Sequence, residues 1–413
     1  IASVLACLVL ILPACSSAPT RSPPAHYDLL IRNGAVYDGS GAAAQSVDVA
    51  VNGDRVVALL PAGTPASATT VIDAGGHAVA PGFINVLSWA TESLIADGRG
   101  MSDTMQGVTL EIFGEGWSGG PLTEAMRAQA LKQQSDFHFP IPWTSLGEYL
   151  EHLQQLGITP NIASFVGATT VRIHELGEDD VAPTPEQLSR MQDLVRAAMR
   201  EGALGVGASL IYPPAFFAKT DELVALAQAA AESGGGYVAH MRSEADHFLP
   251  ALEETITIAR ATGQHAEAYH LKAAGARNWP KMAKAVARID QARSEGVDIA
   301  ANMYAYTAGA TGLTAALPPW VQAGGHDAMI KRLKDPAIRQ RVIAEMKGPA
   351  KGWENLRELA GDDAKVLFIG FRSEALKPLT GKTLADVIAQ RGTSPEDTML
   401  DLIIEDDSRV DTA

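Results

Sequence analysis

The sequence predicts an α/β fold: a TIM-type (β/α)8 barrel with about seven of its eight strands present, preceded by a small N-terminal β-sandwich. Three observations lead there. Between Tyr27 and Ala80, short β-rich runs alternate with turn residues. After Pro81-Gly82 the rhythm becomes strand then helix, repeated, the pattern of parallel strands joined by helical crossovers. The length, 413 residues with 46% apolar and 20% charged, suits one large barrel and a smaller appendage.

In chain order, residues 1–15 read as an export segment, an almost wholly apolar run ending in Leu12-Pro13-Ala14-Cys15. The run is shorter than the roughly 20 apolar residues that a membrane-spanning helix needs, so it matches the apolar part of a secretory signal. Its ending resembles a bacterial lipoprotein cleavage box, with Cys15 as the residue to be lipidated. The competing reading is a simple signal peptide in which Cys15 is incidental. Residues 16–26 form a polar, Pro-rich linker. The expectation is an exported protein of the bacterial cell envelope, facing the periplasm and held to the membrane only through a lipid anchor.

The β-sandwich, residues 27–80, carries strand-like runs at 28–31, 35–37, 47–51 and 55–59. Asn33-Gly34, Asp38-Gly39 and Asn52-Gly53-Asp54 between them suit tight hairpin turns. The barrel, residues 81–413, has candidate strands at 79–86, 109–114, 161–166, 205–209, 236–241, 266–271 and 298–304. Helices are expected at 184–201, 220–233, 248–262 and 281–295, and residues 327–389 read as a helical insertion with a short strand at 365–369. The eighth strand is expected beyond Ala413, so the chain by itself is expected to form an open, catalytically inactive barrel.

The net charge of -15, with no block of Lys and Arg, excludes nucleic-acid binding through phosphate neutralisation. Both cysteines, Cys7 and Cys15, precede the folded body, so any metal there must be held by His, Asp or Glu. Active sites on such barrels lie at the C-terminal ends of the strands. His240 ends the fifth candidate strand and His270 the sixth. A lone strand-end His is more often a packed core residue, but two at equivalent places in successive strands point to a pair of zinc ligands.

The runs Leu210-Ile211-Tyr212-Pro213-Pro214, Ala239-His240-Met241-Arg242, His270-Leu271-Lys272-Ala273, Arg277-Asn278-Trp279 and Met303-Tyr304-Ala305-Tyr306-Thr307-Ala308-Gly309 follow in order. Together they resemble the N-acyl-D-amino-acid deacylase (D-aminoacylase) branch of the amidohydrolase superfamily. Val79-Ala80-Pro81-Gly82-Phe83-Ile84 is similar to that superfamily's first barrel strand. The resemblance implies a metal-dependent hydrolase of carbon-nitrogen bonds other than peptide bonds, acting on a small-molecule N-acyl amino acid or related amide. It places His240 and His270 on two metal ligands, Lys272 on a residue that helps hold the substrate carboxylate, and Tyr304 on one lining the same pocket. It puts the general base on an Asp after strand eight, so no catalytic residue is expected within this chain, and Asp406, Asp407 and Asp411 read as surface acids. A cyclic-amide hydrolase or dipeptidase of the same superfamily, or a non-catalytic lipid-anchored metal- or ligand-binding protein, are the alternatives.

The departures from the family are specific. Where the superfamily closes strand one with His-x-His, this chain has Leu87 and Trp89, neither able to coordinate zinc, so one zinc per chain is expected. Where the deacylases have a bridging Cys after strand two, this chain has Gly114-Glu115-Gly116. Glu115 would complete a His₂Glu set or be a solvated loop acid, and Glu111 inside the strand is a further candidate.

Overall fold

The computed structural model describes residues 26–134 and 136–413; the export segment, including Cys7 and Cys15, and the linker up to residue 25 lie outside these residues. The chain divides into two compact units at Gly82 and Phe83.

In the first unit, β1 (His26–Arg32), β2 (Ala35–Val36), β3 (Gln45–Asn52), β4 (Arg55–Pro61), β5 (Ser67–Asp73) and β6 (Ala78–Val79) form one hydrogen-bonded sheet. Its order is β5-β1-β3-β2-β6, with β4 paired to β3. Strands β1 and β2 both run antiparallel to β3, so Asn33-Gly34 does not reverse the chain as a hairpin would. Asn33 instead takes a left-handed φ of 58° and kinks the chain between them. The tight hairpin is the one at Gly53-Asp54, where Asn52 pairs with Arg55. Residues 78–79 pair with β2 rather than opening the barrel. Pro81 explains the break, because it has no N–H with which to carry a ladder onward. Tyr27, Leu30, Ala50 and Leu60 make the core of this sheet.

The second unit carries the barrel strands β7 (Phe83–Asn85), β8 (Val108–Phe113), β9 (Asn161–Ser164) with its continuation β10 (Val166–Gly167), β11 (Gly205–Ser209), β12 (Gly236–His240), β13 (Ala266–Ala268) and β14 (Ile299–Ala301). Each pairs in parallel with the next in chain order. Each of the seven strands read from sequence is observed, the first shortened to Phe83–Asn85 and the third interrupted at Phe165. Helices Pro185–Arg200, Thr220–Ala231, Phe248–Thr262 and Lys281–Ser294 fall where the periodicity puts them. The first starts on a capping box between Thr184 and Gln187, with Pro185 in its first turn. The apolar faces of the first two join the strands in the main core, for example Val195, Val206, Leu226 and Tyr237, and those of the last two meet Ala268 and Ile299 in a core with Leu252 and Ile289.

The sixth and seventh strands end earlier than the sequence suggests, at Ala268 and Ala301. Beyond them, Leu313 to Val410 pack around a second core that includes Val321, Leu333, Phe368, Leu384 and Ile403. The insertion is therefore wider than residues 327–389. Strands β15 (Thr311–Gly312), β16 (Phe368–Gly370) and β17 (Asp411–Thr412) form a small antiparallel sheet with β17 in the middle. Asp406 is not a surface acid: it is 2% exposed and accepts from the backbone N–H groups of Arg372 and Ser373. Burial is affordable there because those donors replace water.

One buried ion pair positions the helix that flanks the barrel mouth. Arg172, on helix Ala168–Leu176, places Nη1 2.8 and 2.7 Å from the two carboxylate oxygens of Glu222, on helix Thr220–Ala231. Its Nη2 donates to the Val181 carbonyl. Burial outweighs the Arg172 charge and pushes the Glu222 carboxyl up, so the pair is held at a desolvation cost. Arg172→Met, which strands the carboxylate, should destabilise the protein by about 3 kcal/mol or more in urea unfolding. The double variant Arg172→Met/Glu222→Met should lose less than either single one, and equal additive losses would show that the two groups are not coupled.

Candidate metal centre

The mouth of the barrel is built from the ends of β7, β8, β12, β13 and β14. After Phe113 the chain turns through Gly114 (φ 106°) and Gly116 (φ 78°). A Cβ on Gly114 would lie 2.3 Å from the Phe165 carbonyl oxygen, and one on Gly116 would lie 2.5 Å from the Ser209 Cβ. Only glycine fits on either side, which leaves Glu115 as the side chain the turn presents. The turn is clamped by the helix held through Arg172: the Thr169 N–H donates to the Gly116 carbonyl, and Ser118 N–H donates to Thr170 Oγ1.

Glu115 is 8% exposed. Its Oε1 lies 2.8 Å from His270 Nε2 and 3.3 Å from His240 Nδ1, while its Oε2 accepts a 2.7 Å hydrogen bond from the Trp89 indole N–H. The two imidazoles stand edge to face with centroids 4.5 Å apart. His240 is the last residue of β12, in register with Ser209 of β11. His270 lies beyond the end of β13, not in the strand as the sequence suggested, and has a left-handed φ of 37°. Asn302 holds that conformation, since its Oδ1 accepts from the His270 N–H at 2.6 Å.

Lys272 and Tyr304 both come to this place. Lys272 Nζ lies 2.8 Å from His270 Nδ1 and 5.6 Å from the centroid of the Tyr304 ring. Strand alternation does not bring Lys272 here, because no strand continues past Ala268. The loop folds back instead, drawn by a residue the sequence reading passed over. Glu244, fully buried, places Oε1 2.5 Å from Lys272 Nζ and 3.0 Å from His270 Nδ1. The signal for it was a carboxylate four residues after a strand-end His in His240-Met241-Arg242-Ser243-Glu244. Its loop is braced from the insertion by Glu354, which accepts from the Ser243 hydroxyl and from the N–H groups of Glu244 and Ala245. Tyr212 packs edge-on against His240 at 5.2 Å and bonds Thr311 through its hydroxyl. Glu111 is not brought in: it lies 1% exposed within β8, outside the group of converging donors.

Charge is concentrated here. Burial alone would raise the Glu115 carboxyl, but the two imidazoles outweigh it and hold it well below the usual carboxylate range. Burial likewise opposes ionisation of Glu244, yet His240, His270 and Lys272 bring its pKa down to about 2. For His270, burial favours the neutral ring, while hydrogen bonds to Glu115 and Glu244 win and raise its pKa to about 9.

Glu115, His240 and His270 each offer one donor atom within 4.8 Å of the others, the one such group among the described residues. His240 Nε2 is buried without a hydrogen-bond partner. An orphaned buried nitrogen costs about 1–3 kcal/mol, and a cation beside it would satisfy it. Two imidazoles and a carboxylate are a zinc-type donor set.

No family model matches the sequence. Among curated proteins, the chain is 31% identical over 296 residues to a D-aminoacylase of Alcaligenes xylosoxydans xylosoxydans, covering 71% of this chain and 60% of the relative. It is 32% identical over 287 residues to an N-acyl-D-glutamate deacylase of the same organism, covering 69% and 58%. The match thus spans less than two thirds of those relatives' length. Among solved structures, an N-acyl-D-glutamate deacylase from Bordetella bronchiseptica, complexed with zinc and a phosphonate mimic of the tetrahedral intermediate, superposes with a TM-score of 0.73. That match is at 26% identity over 94% of this chain and 71% of the other. A D-aminoacylase with a binuclear metal centre, activated by one metal and attenuated by the second, gives the same score, identity and coverage.

The raised His270 pKa sets a pH dependence for the metal-free protein. Its contribution to stability is complete below the unfolded value of 6.5 and is lost as pH rises through about 9. The Glu244 contribution runs the other way, present above 4.5 and lost as pH falls through about 2. Thermal melts of chelator-treated protein should therefore decline between pH 6.5 and 9, and His270→Gln should flatten that limb; an unchanged limb would assign it to other groups.

Proposed function

The chain belongs to the N-acyl-D-amino-acid deacylase (D-aminoacylase) family of the amidohydrolase superfamily, and from that membership we propose that it carries the metal centre and substrate grip of a zinc-dependent deacylase of linear N-acyl amino acids. The observation that carries the reading is the convergence of Glu115, His240 and His270, with a buried His240 Nε2 that makes no hydrogen bond and lies 3.9 Å from Glu244 Oε1. The relatives act on D-configured substrates by name, so D-amino acids are the first to test.

His240, His270 and Glu115 would hold one zinc. Leu87 and Trp89 at the end of strand one supply no further ligand, and the indole N–H is already committed to Glu115. The reading of a single ion is supported by a related D-aminoacylase described as activated by one metal and attenuated by a second. Bound there, zinc supplies Lewis acidity to the scissile carbonyl and makes an adjacent water more acidic.

The chain's own residues do the rest. Glu244 engages Nδ1 of His270 and so fixes which nitrogen faces Glu115. Lys272 offers its ammonium to the substrate carboxylate, exchanging part of its contact with Glu244, and Tyr304 walls the same side. The charges of Glu115 and Glu244 against Lys272 and a divalent ion leave the site net positive by one. That balance suits a singly charged N-acyl amino acid. The lipid anchor at Cys15, and with it the periplasmic address, is part of this proposal and rests on the N-terminal sequence alone.

The protein should carry one zinc per chain by elemental analysis and release free amino acid from N-acetyl-D-amino acids. Alanine at His240 or His270 should abolish both, whereas two tightly held ions or full metal retention would contradict the assignment. Lys272→Met should raise KM for carboxylate substrates at least tenfold with a smaller change in kcat; an unaltered KM would remove Lys272 from the binding site. Cys15→Ser should shift the protein from the membrane to the soluble periplasmic fraction, and a wild-type protein found soluble would exclude the anchor.

A further inference from the structure

The residue at the mouth that zinc chemistry does not claim is Trp89. It is fixed from both sides: the preceding Ser88 donates its N–H to the Ile112 carbonyl of β8, and its hydroxyl accepts from the N–H of Ala90. The ring is 55% exposed, yet its one polar atom points inward to a carboxylate that is 8% exposed. The two oxygens of Glu115 therefore face different partners, with Oε2 taking the indole N–H and Oε1 facing both imidazoles. Rotation of the carboxylate about its last torsion would break the indole bond. Drawing both oxygens onto one ion would compete with it.

We propose that Trp89 is a positioning residue for the metal centre: its indole N–H holds Glu115 so that a single oxygen, Oε1, is presented to the ion. The inference rests on the reading of Glu115, His240 and His270 as metal ligands. The bland alternative is a tryptophan that only fills space at the end of β7. The two differ in what the N–H does, because phenylalanine keeps an aromatic ring in the same place and removes the donor. A hydrogen-bond partner of a ligand is worth about 10–100-fold in metal affinity, whereas a space-filling ring is worth none of that once it is replaced by a ring of similar shape.

The test uses cobalt(II) as the probe ion in the purified, chelator-treated protein, comparing wild type with Trp89→Phe and following binding by visible absorption and by dialysis. Circular dichroism and thermal melts report that both fold. We expect one cobalt per chain in wild type. In Trp89→Phe we expect a Kd at least tenfold weaker, and a visible spectrum of lower intensity as Glu115 turns both oxygens to the ion and the coordination number rises. A folded Trp89→Phe variant with the wild-type Kd and spectrum overturns the role of Trp89 and leaves the metal centre standing. A wild type that binds no stoichiometric cobalt overturns the metal centre, and the Trp89 inference with it.

Discussion

The second unit is organised around one crowded carboxylate oxygen. Glu115 Oε1 stands within 3.3 Å of two imidazole nitrogens that come from elements far along the chain. Such a cluster has no local reason to form, and burial penalises each ionised member. It persists because the surrounding backbone leaves little choice. The turn at Gly114 and Gly116 is too tight for any side chain but that of Glu115, and helix Ala168–Leu176 closes over it. That helix is in turn tied to its neighbour by the buried Arg172–Glu222 pair.

A second layer of contacts decides the orientation of the first. Glu244 is fully buried and addresses His270 and Lys272 at once, which lets one carboxylate balance an imidazole and an ammonium. Its own loop is held by Glu354, which belongs to the insertion and not to the barrel. The insertion is thus part of the site's support, although none of its residues joins the converging donors. A change in the packing of that insertion would reach His270 through Glu354 and Glu244, two hydrogen-bonded steps away.

The substitutions that set this chain apart from the superfamily pattern belong together. The family resemblance leads one to expect a His-x-His pair where Leu87 and Trp89 stand, and a Cys where Glu115 stands. In the structure the second and third of these positions touch, indole to carboxylate at 2.7 Å. A thiolate would offer one sulfur and need no restraint of this kind, whereas a carboxylate has two oxygens and needs one of them occupied.

By itself, the sequence determined the parallel strand-and-helix pattern, since period and turn residues are local properties, and so it placed His240 at the end of β12 and His270 close to the end of the next strand, which stops two residues short of it. The glycines around Glu115 also marked it out, because a close backbone approach leaves its trace in the residues that permit it. Only the tertiary structure decided between Glu115 and Glu111, brought Glu244 to His270, and aimed the Trp89 N–H at Glu115. It also buried Asp406, which the sequence left at the surface, and gave residues 78–79 to the first unit. The reason is distance along the chain: the contacts of Glu115 reach 125 and 155 residues away. No periodicity or spacing encodes such meetings, which arise only when the strands are laid side by side and their ends share one mouth.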